Sequence, residues 1–244
     1  MRIAILSDIH GNIWALEAAV ADAKKHAVDL IVNAGDILSG PLDPAATADY
    51  LMPLDWPTIR GNHERQLLAC EHTRGAPSDQ FAFEQTSKVQ RDWLRGLPAT
   101  LLVAPDIFMC HGTPASDLVY FLEQVDASGA RLADSAAVER HAGGIAHGLI
   151  ICGHSHKPRC HAISAGRLVV NPGSVGLQAY DDDQPFYHAI ENGSPHARYA
   201  ICEQTEHGWH VSQRCVDYDH ETAAATARRN GRADWGKWIE TGRV

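Results

Sequence analysis

No apolar run in this 244-residue chain approaches the roughly 18 residues that a membrane helix needs, so no membrane span is expected. The opening Met1-Arg2-Ile3-Ala4-Ile5-Leu6 is far too short for the apolar part of a signal peptide and runs straight into polar residues, so a cytoplasmic location is expected. A basic surplus is missing too: 21 Lys and Arg stand against 30 Asp and Glu, a formal net charge of −9. Binding a nucleic-acid polymer needs a basic footprint, so no such partner is expected. Cys70, Cys110, Cys152, Cys160, Cys202 and Cys215 form no C-x-x-C pair. Three of them, Cys110, Cys152 and Cys202, lie in apolar runs where a free thiol behaves as a small hydrophobe, so a disulfide framework is not expected. There is no repeat, no low-complexity segment and no dividing linker. The expectation is one domain over 1–244, with a helical tail from about residue 219.

What is present is an ordinary share of hydrophobic residues, 45%, in a chain long enough to bury a substantial core. It also holds 15 histidines. Two of them frame Gly153-His154-Ser155-His156, directly after the apolar run Gly148-Leu149-Ile150-Ile151-Cys152, which reads as a short buried strand. In extended backbone, residues i and i+2 point to the same side, which would aim two imidazoles at one spot. Neutral imidazole is the commonest protein metal ligand. With so many histidines, the pair gains weight only if other strand ends supply further ligands.

They do. Arg2 to Ser7 reads as a strand opening on Asp8-Ile9-His10, followed by a helix capped by Asn12. Leu30 to Asp36 reads as a second buried strand, so the first 36 residues spell a βαβ unit with a parallel pair. In such sheets functional groups gather beyond the carboxyl ends of the strands. Trp56 to Arg60 reads as a strand ending in Gly61-Asn62-His63-Glu64, with a helix to about Ala69. Asp79 to Leu94 reads as one helix, Ile107 to Cys110 as a strand delivering His111, and Thr113 to Ala130 as a loop with an apolar aromatic centre at Leu118 to Leu122. Asp134 to Ala142 reads as helical. His161 to Val170 reads as a hairpin, and Tyr199 to Val216 as another. Asp181-Asp182-Asp183 reads as a solvated turn.

Read singly, each motif has a plainer account. Asp8 and Asp36 are suited to capping the helices that follow, His111 to a satisfied place in a core, and the flanking glycines to turns. Arg60 suits a structural ion pair that stiffens the loop after it, or a phosphate contact. Asn171 is either a turn residue before Pro172 or a support to the ligands. The ordered set, each member after its own strand, is what stands out.

That set resembles the calcineurin-like metallophosphoesterases, over about Met1 to Gly176. The ending Asn171-Pro172-Gly173-Ser174-Val175-Gly176 is similar to the small bacterial phosphodiesterase and diadenosine-tetraphosphatase-like branch. The resemblance implies an α/β fold: a four-layer αββα sandwich, two mixed β-sheets face to face with helices outside. Alternation of strands and helices supports α/β independently. It implies one metal on Asp8, His10, Asp36 and His156, and a second on Asp36, Asn62, His111 and His154, with Asp36 bridging. A carboxylate and imidazole set without thiolate suits Mn, Fe, Zn, Co or Ni, with Mn or Fe/Zn favoured, rather than Mg or Ca. Two such ions about 3.5–4 Å apart bridge and activate a water for in-line attack on phosphorus. His63, diverging from Asn62 in an extended segment, takes the role of a general acid toward the leaving oxygen. Relatives place an Asp where this chain has Gly40 to orient that histidine; Asp43 or Glu64 is expected to substitute. The substrate implied is a phosphodiester, phosphomonoester or nucleotide-like small molecule. The alternatives are a dinucleoside polyphosphate hydrolase and a non-catalytic scaffold with the same fold.

Overall fold

A computed structural model describes residues 1–244. The chain begins β1 (Arg2–Leu6), α1 (Ile13–Ala23), β2 (Leu30–Asn33), α2 (Pro44–Leu51) and α3 (Asn62–Ala69). Helices α4 (Pro77–Gln85) and α5 (Lys88–Gly96) precede the hairpin of β3 (Thr100–Ala104) and β4 (Ile107–Cys110). Next come β5 (Glu123–Asp126), β6 (Gly129–Leu132), α6 (Ser135–Ala142), β7 (Leu149–Ile151), β8 (Arg159–Ala162) and β9 (Leu168–Asn171). The hairpin of β10 (Ala179–Asp182) and β11 (His188–Glu191) leads to β12 (Ala197–Thr205), β13 (Gly208–Val216), α7 (His220–Arg229) and α8 (Ala233–Thr241).

Two mixed sheets form the centre. One has the order β13-β12-β1-β2, with β1 and β2 parallel and the other pairs antiparallel. The other runs β3-β4-β7-β9-β8, with a parallel centre of β4, β7 and β9 and antiparallel edges. The two-residue period of each strand divides its side chains between two cores. In β1, Ile3 and Ile5 pack against Ile107, Met109, Leu149, Ile151 and Val170 of the facing sheet. Ala4 and Leu6 face the other way, onto α1 residues Ala15, Leu16, Ala19 and Val20. In β7, Leu149 and Ile151 face the first sheet, while Ile150 lies under Ala137, Val138 and Ala142 of α6. Helix, sheet, sheet, helix is the expected four-layer sandwich.

The last two helices are part of this core. Ala223, Ala224 and Ala227 of α7, and Trp235, Trp238 and Ile239 of α8, belong to the cluster that includes α1. The segment read as a tail from residue 219 therefore packs onto the first sheet's outer layer.

Several local expectations change. Trp56 to Arg60 makes only one parallel bridge, Thr58 to Asn33, because Pro57 has no N–H to give a ladder. Asn62 and His63 are the first residues of α3 rather than an extended segment, so helical rotation separates their side chains. The stretch Asp79 to Leu94 is two helices. Thr86 turns extended, and Ser87 accepts from Gln90 N at 3.2 Å while Gln90 Oε1 accepts from Ser87 N at 2.8 Å, a reciprocal cap that starts α5. The region Thr113 to Ala130 holds β5 and opens β6, and Asp181 and Asp182 lie in β10.

Ile5 is fully buried between the sheets, whereas Val89 on α5 is 67% exposed. Ile5→Ala is expected to cost about 2–5 kcal/mol in urea unfolding, and Val89→Ala less than about 0.5 kcal/mol. A cost at Ile5 no larger than that at Val89 would contradict the face-to-face packing.

Candidate metal centre and substrate cleft

The predicted ligands and His63 come from five chain segments and meet where the strands of both sheets end. Asp8 and His10 follow β1, Asp36 follows β2, His111 follows β4, and His154 and His156 follow β7. Asn62 and His63 open α3. None of the five in the first, second and fourth of these loops is extended: Asp8, His10, Asp36, His154 and His156 all have φ between 53° and 68°. The left-handed conformation costs an L-residue about 1–2 kcal/mol, and such strain concentrates at functional sites where the surroundings enforce it. Here Asp8 N donates to Gly35 O at 2.9 Å, His10 N to Asp36 O at 3.0 Å, and Gly153 N to His111 O at 2.7 Å. These bonds tie the strand-end loops to one another.

The turns sort the ligands differently from an extended chain. His154 and His156 do not share a spot. The potential ligand atoms form two clusters, Asp8 with His10 and His156, and Asp36 with His111 and His154, each within 4.8 Å. Three of the four imidazoles have Nδ1 on a main-chain carbonyl: His10 on Ser39 at 2.7 Å, His111 on Ala34 at 2.8 Å and His156 on Leu177 at 2.8 Å. That bond places the proton on Nδ1 and turns Nε2 inward as an acceptor. Consequently Nε2 of His10 faces Nε2 of His156 at 3.1 Å, and His111 Nε2 lies 3.0 Å from Asp36 Oδ2. Asp8 Oδ2, Asn62 Oδ1 and His111 Nε2 are buried with no hydrogen-bond partner. A cluster of facing acceptors is costly to bury unless a cation satisfies it.

The charge states of three of the four rings agree. Burial pushes His10 down to about 4 and His154 to about 3, and His156 falls well below the usual range. These rings are neutral, the form in which imidazole binds a metal. Burial alone would raise Asp36, yet His111 and His63 beside it hold its carboxyl well below the usual carboxylate range. Burial would lower His111 as well, but the Asp36 carboxylate outweighs it and lifts the ring to about 10. Asp8 is pushed up to about 7 by burial.

His10, Asp36, Asn62, His63, His154 and His156 line a cleft of about 860 Å³. Asp8 and His111 lie beneath it, fully buried. One wall is made by α3, α4 and α8, through Gln66, Ser78, Asp79, Arg232, Trp235 and Trp238. The opposite wall is made by Leu118, Val119, Tyr120, the β5–β6 hairpin and β10. Of the apolar patch at 118–122, Phe121 and Leu122 are core, while Leu118 and Val119 are exposed in the cleft. Tyr120 packs on His154 and Tyr180 on His156, with ring centroids at 4.9 and 4.7 Å. His188, given no role from sequence, bonds Tyr120 Oη at 2.9 Å.

Two further residues have definite places. Asn171 donates to Gly153 O at 2.7 Å and to Ser155 Oγ at 3.1 Å, which braces the His154–His156 turn. Arg60 neither lines the cleft nor forms an ion pair, so neither reading of it matches its position. Sequence reasoning missed Asp79, Arg232 and Trp235. Asp79 lies in the first turn of a helix begun by Pro77, where an acidic residue already has a reason to be.

The sequence model of the calcineurin-like phosphoesterase superfamily domain matches residues 1–192. An uncharacterized protein of Methanocaldococcus jannaschii is 24% identical over 253 aligned residues, covering 96% of this chain and 94% of that protein. A metallophosphoesterase of Sphaerobacter thermophilus superposes with a TM-score of 0.77 at 23% identity, over 99% of this chain and 100% of the other. A candidate diadenosine tetraphosphatase superposes with a TM-score of 0.53 at 18% identity, over 88% and 94%.

A Cβ added at Gly61 would lie 2.1 Å from Asp36 Oδ1, whereas one at Gly96 meets nothing within 4 Å. Gly61→Ala is therefore expected to dislodge the Asp36 carboxylate and, like Asp36→Asn, lower the metal content of both clusters. Gly96→Ala should leave it unchanged, and His156→Ala should damage mainly one cluster. Elemental analysis of the purified proteins decides; unaltered metal in Asp36→Asn would rule out a shared ligand.

Proposed function

The chain belongs to the calcineurin-like phosphoesterase superfamily, and on that premise we propose that it hydrolyses phosphate esters with the help of two divalent transition-metal ions. One ion would be held by Asp8, His10, Asp36 and His156, the other by Asp36, Asn62, His111 and His154. The observation that carries this reading is the convergence of buried acceptor atoms: three inward-turned Nε2 atoms together with Asp8 Oδ2 and Asn62 Oδ1. Nitrogen and oxygen donors without thiolate favour manganese or an iron–zinc pair among the candidates. Such ions, when bound, supply Lewis acidity toward the phosphoryl oxygens and lower the pKa of water.

The chain's own groups account for the rest. Asn62 contributes an uncharged oxygen and so leaves the site electropositive toward an anion. Asn171 keeps the His154–His156 turn in shape. His63, partly exposed to the cleft, bonds through Nδ1 and has Nε2 left for the leaving oxygen. A proton from that nitrogen suits a basic alkoxide leaving group. Burial alone would depress His63, but Asp36 and Asp79 outweigh it and raise the ring to about 9.

The cleft is far larger than a phosphoryl group and falls within the range of about 300–1,000 Å³ usual for small-molecule sites. It has room for the organic part of a phosphodiester or a nucleotide-like ester. Away from the ligands its lining carries Asp126, Asp181 and Asp182 against Arg131 and Arg232, while Glu123 is buried and paired with Arg159. Arg131 already pairs with Asp126 and Arg232 with Asp234. That balance favours an ester with one phosphate over a polyanion such as a dinucleoside polyphosphate. On the same reading 1–244 is a single metallophosphoesterase domain, because α7 and α8 share the core of the preceding residues.

The test compares kcat/KM of wild type and His63→Ala, both metal-loaded, on bis(4-nitrophenyl) phosphate, a ribose-linked diester and diadenosine tetraphosphate. The 4-nitrophenolate leaves with little help, so His63→Ala should cost little there and about 10²–10⁴-fold on the ribose-linked ester. Wild type should prefer the ribose-linked ester to diadenosine tetraphosphate. Equal losses on the aryl and ribose-linked esters would reduce His63 to phosphate positioning. No hydrolysis of any ester by metal-loaded wild type would reject the enzyme in favour of a scaffold.

A further inference from the structure

We propose that Asp79 is the positioning residue of His63, reaching it from a separate helix and fixing the ring with Nε2 toward the cleft. This rests on the proposed role of His63. The geometry is specific. Asp79 Oδ1 lies 2.8 Å from His63 Nδ1 and accepts from Ser39 Oγ at 2.7 Å. Its side chain is 2% exposed, so the pair is shielded from water on the carboxylate side. A charge-assisted bond to a buried carboxylate is among the stronger side-chain interactions. A carboxylate accepting from Nδ1–H also holds the plane of the ring and leaves Nε2 as the nitrogen that faces the cleft.

The other carboxylates near His63 are committed elsewhere. Asp43 Oδ1 caps α2 by accepting from Ala46 N at 3.0 Å. Glu64 accepts from the main-chain N–H of Gly61, Asp36 and Ile37 at 2.7, 2.9 and 2.7 Å. Position 40 has no room for any side chain. A Cβ there would lie 2.3 Å from His10 O and 2.9 Å from the Trp235 ring. Neither expected substitute reaches His63, and Asp79 does.

Asp79 is itself held in place from three directions. Ser39 binds it through Oγ while the Ser39 carbonyl takes His10 Nδ1 at 2.7 Å, so one residue serves both histidines. Helix α4 packs on α3, which carries His63. Next to Asp79, Ser78 Oγ accepts from Arg232 Nη1 at 2.9 Å, which ties the start of α4 to the start of α8. A bond that only clamps α3 to α4 would predict lost stability and a general loss of activity. A bond that positions a leaving-group acid predicts a loss confined to esters that need the acid.

Asp79→Asn keeps the size of the side chain and an oxygen acceptor but removes the charge. Metal-loaded Asp79→Asn is expected to keep its metal content and melting temperature. It should lose about tenfold to a hundredfold in kcat/KM on the ribose-linked diester, part of the whole general-acid effect, and under about threefold on bis(4-nitrophenyl) phosphate. In a His63→Ala background the same substitution should cost nothing further, since coupled residues are not additive. A loss equal on the two esters, or one that adds fully to His63→Ala, would show a structural clamp and overturn the proposal. Nitrogen NMR of the zinc-loaded protein, with the His63 signals assigned by their absence in His63→Ala, reads the ring without any turnover. A hydrogen-bonded Nδ1–H in wild type whose signal shifts in Asp79→Asn supports the proposal, and a His63 ring unchanged by the substitution overturns it. If wild type hydrolyses neither ester, the phosphoesterase reading fails, while the NMR result still decides for or against Asp79.

Discussion

One buried carboxylate sets the form of the site. Asp36 is 1% exposed and every polar group it owns is engaged. Its N–H goes to Glu64 and its carbonyl takes His10 N. Oδ1 takes His63 N at 3.0 Å and Oδ2 faces His111. Four loops are thus registered on one residue. A buried anion with this many partners cannot shift without stranding others, and an unpaired buried charge is expensive. The left-handed turn at Asp36 follows from the same constraint, because it lets main chain and side chain serve different loops at once. The close approach of Gly61, with no room for a methyl beside Oδ1, follows as well.

The sheets make that concentration of charge tolerable. Parallel strands β1 and β2 end together, as do β4 and β7 across the interface, so four loops open at one edge of the sandwich. Beneath them lies a hydrophobic inter-sheet cluster, from Ile3 and Ile5 to Met109 and Ile151. Such a core offers no competing polar partner, and the strand-end groups have only one another, the cleft and the carbonyls of neighbouring loops. The carbonyls take Nδ1 of the histidines, and Nε2 is directed inward by exclusion. Orientation of the ligands is therefore a product of strand geometry and hydrogen-bond accounting, before any cation is considered.

Most of this architecture was legible in the sequence, and the parts that were not share a physical cause. Apolar runs with alternating faces marked β1, β2, β4, β7 and β9, because both faces of those strands are buried. The hairpins β5–β6 and β10–β11 carry Glu123, Gln124, Asp181 and Asp182, too polar for a pattern-based assignment, and they matter as cleft walls rather than as core. The break between α4 and α5 had a readable signal in Ser87-Lys88-Val89-Gln90, a capping box inside an otherwise helical stretch. The seven ligand candidates were found through their order along the chain. Extended backbone alone would have joined His154 and His156; the resemblance put them in different groups, and the structure does the same, with positive φ at both residues.

The orienting group of His63 was illegible for a different reason: it depends on packing far away in sequence. Trp235 of α8 fills the space above Gly40 and sets its ring 5.7 Å from that of His10. Position 40 is closed by the His10 carbonyl as well, and the carboxylate that meets Nδ1 comes from the start of α4. Arg232, the residue directly before α8, secures that beginning through Ser78. The same short stretch of chain thus excludes one solution and supports the other. It lies beyond the residues matched by the family model, which end at 192. Its cost in local terms is small, because Trp235, Trp238 and Ile239 are buried in the main core and would favour this packing on hydrophobic grounds alone. A closing helix buried on hydrophobic grounds thus also sets an indole beside His10 and steadies the start of the helix that carries Asp79.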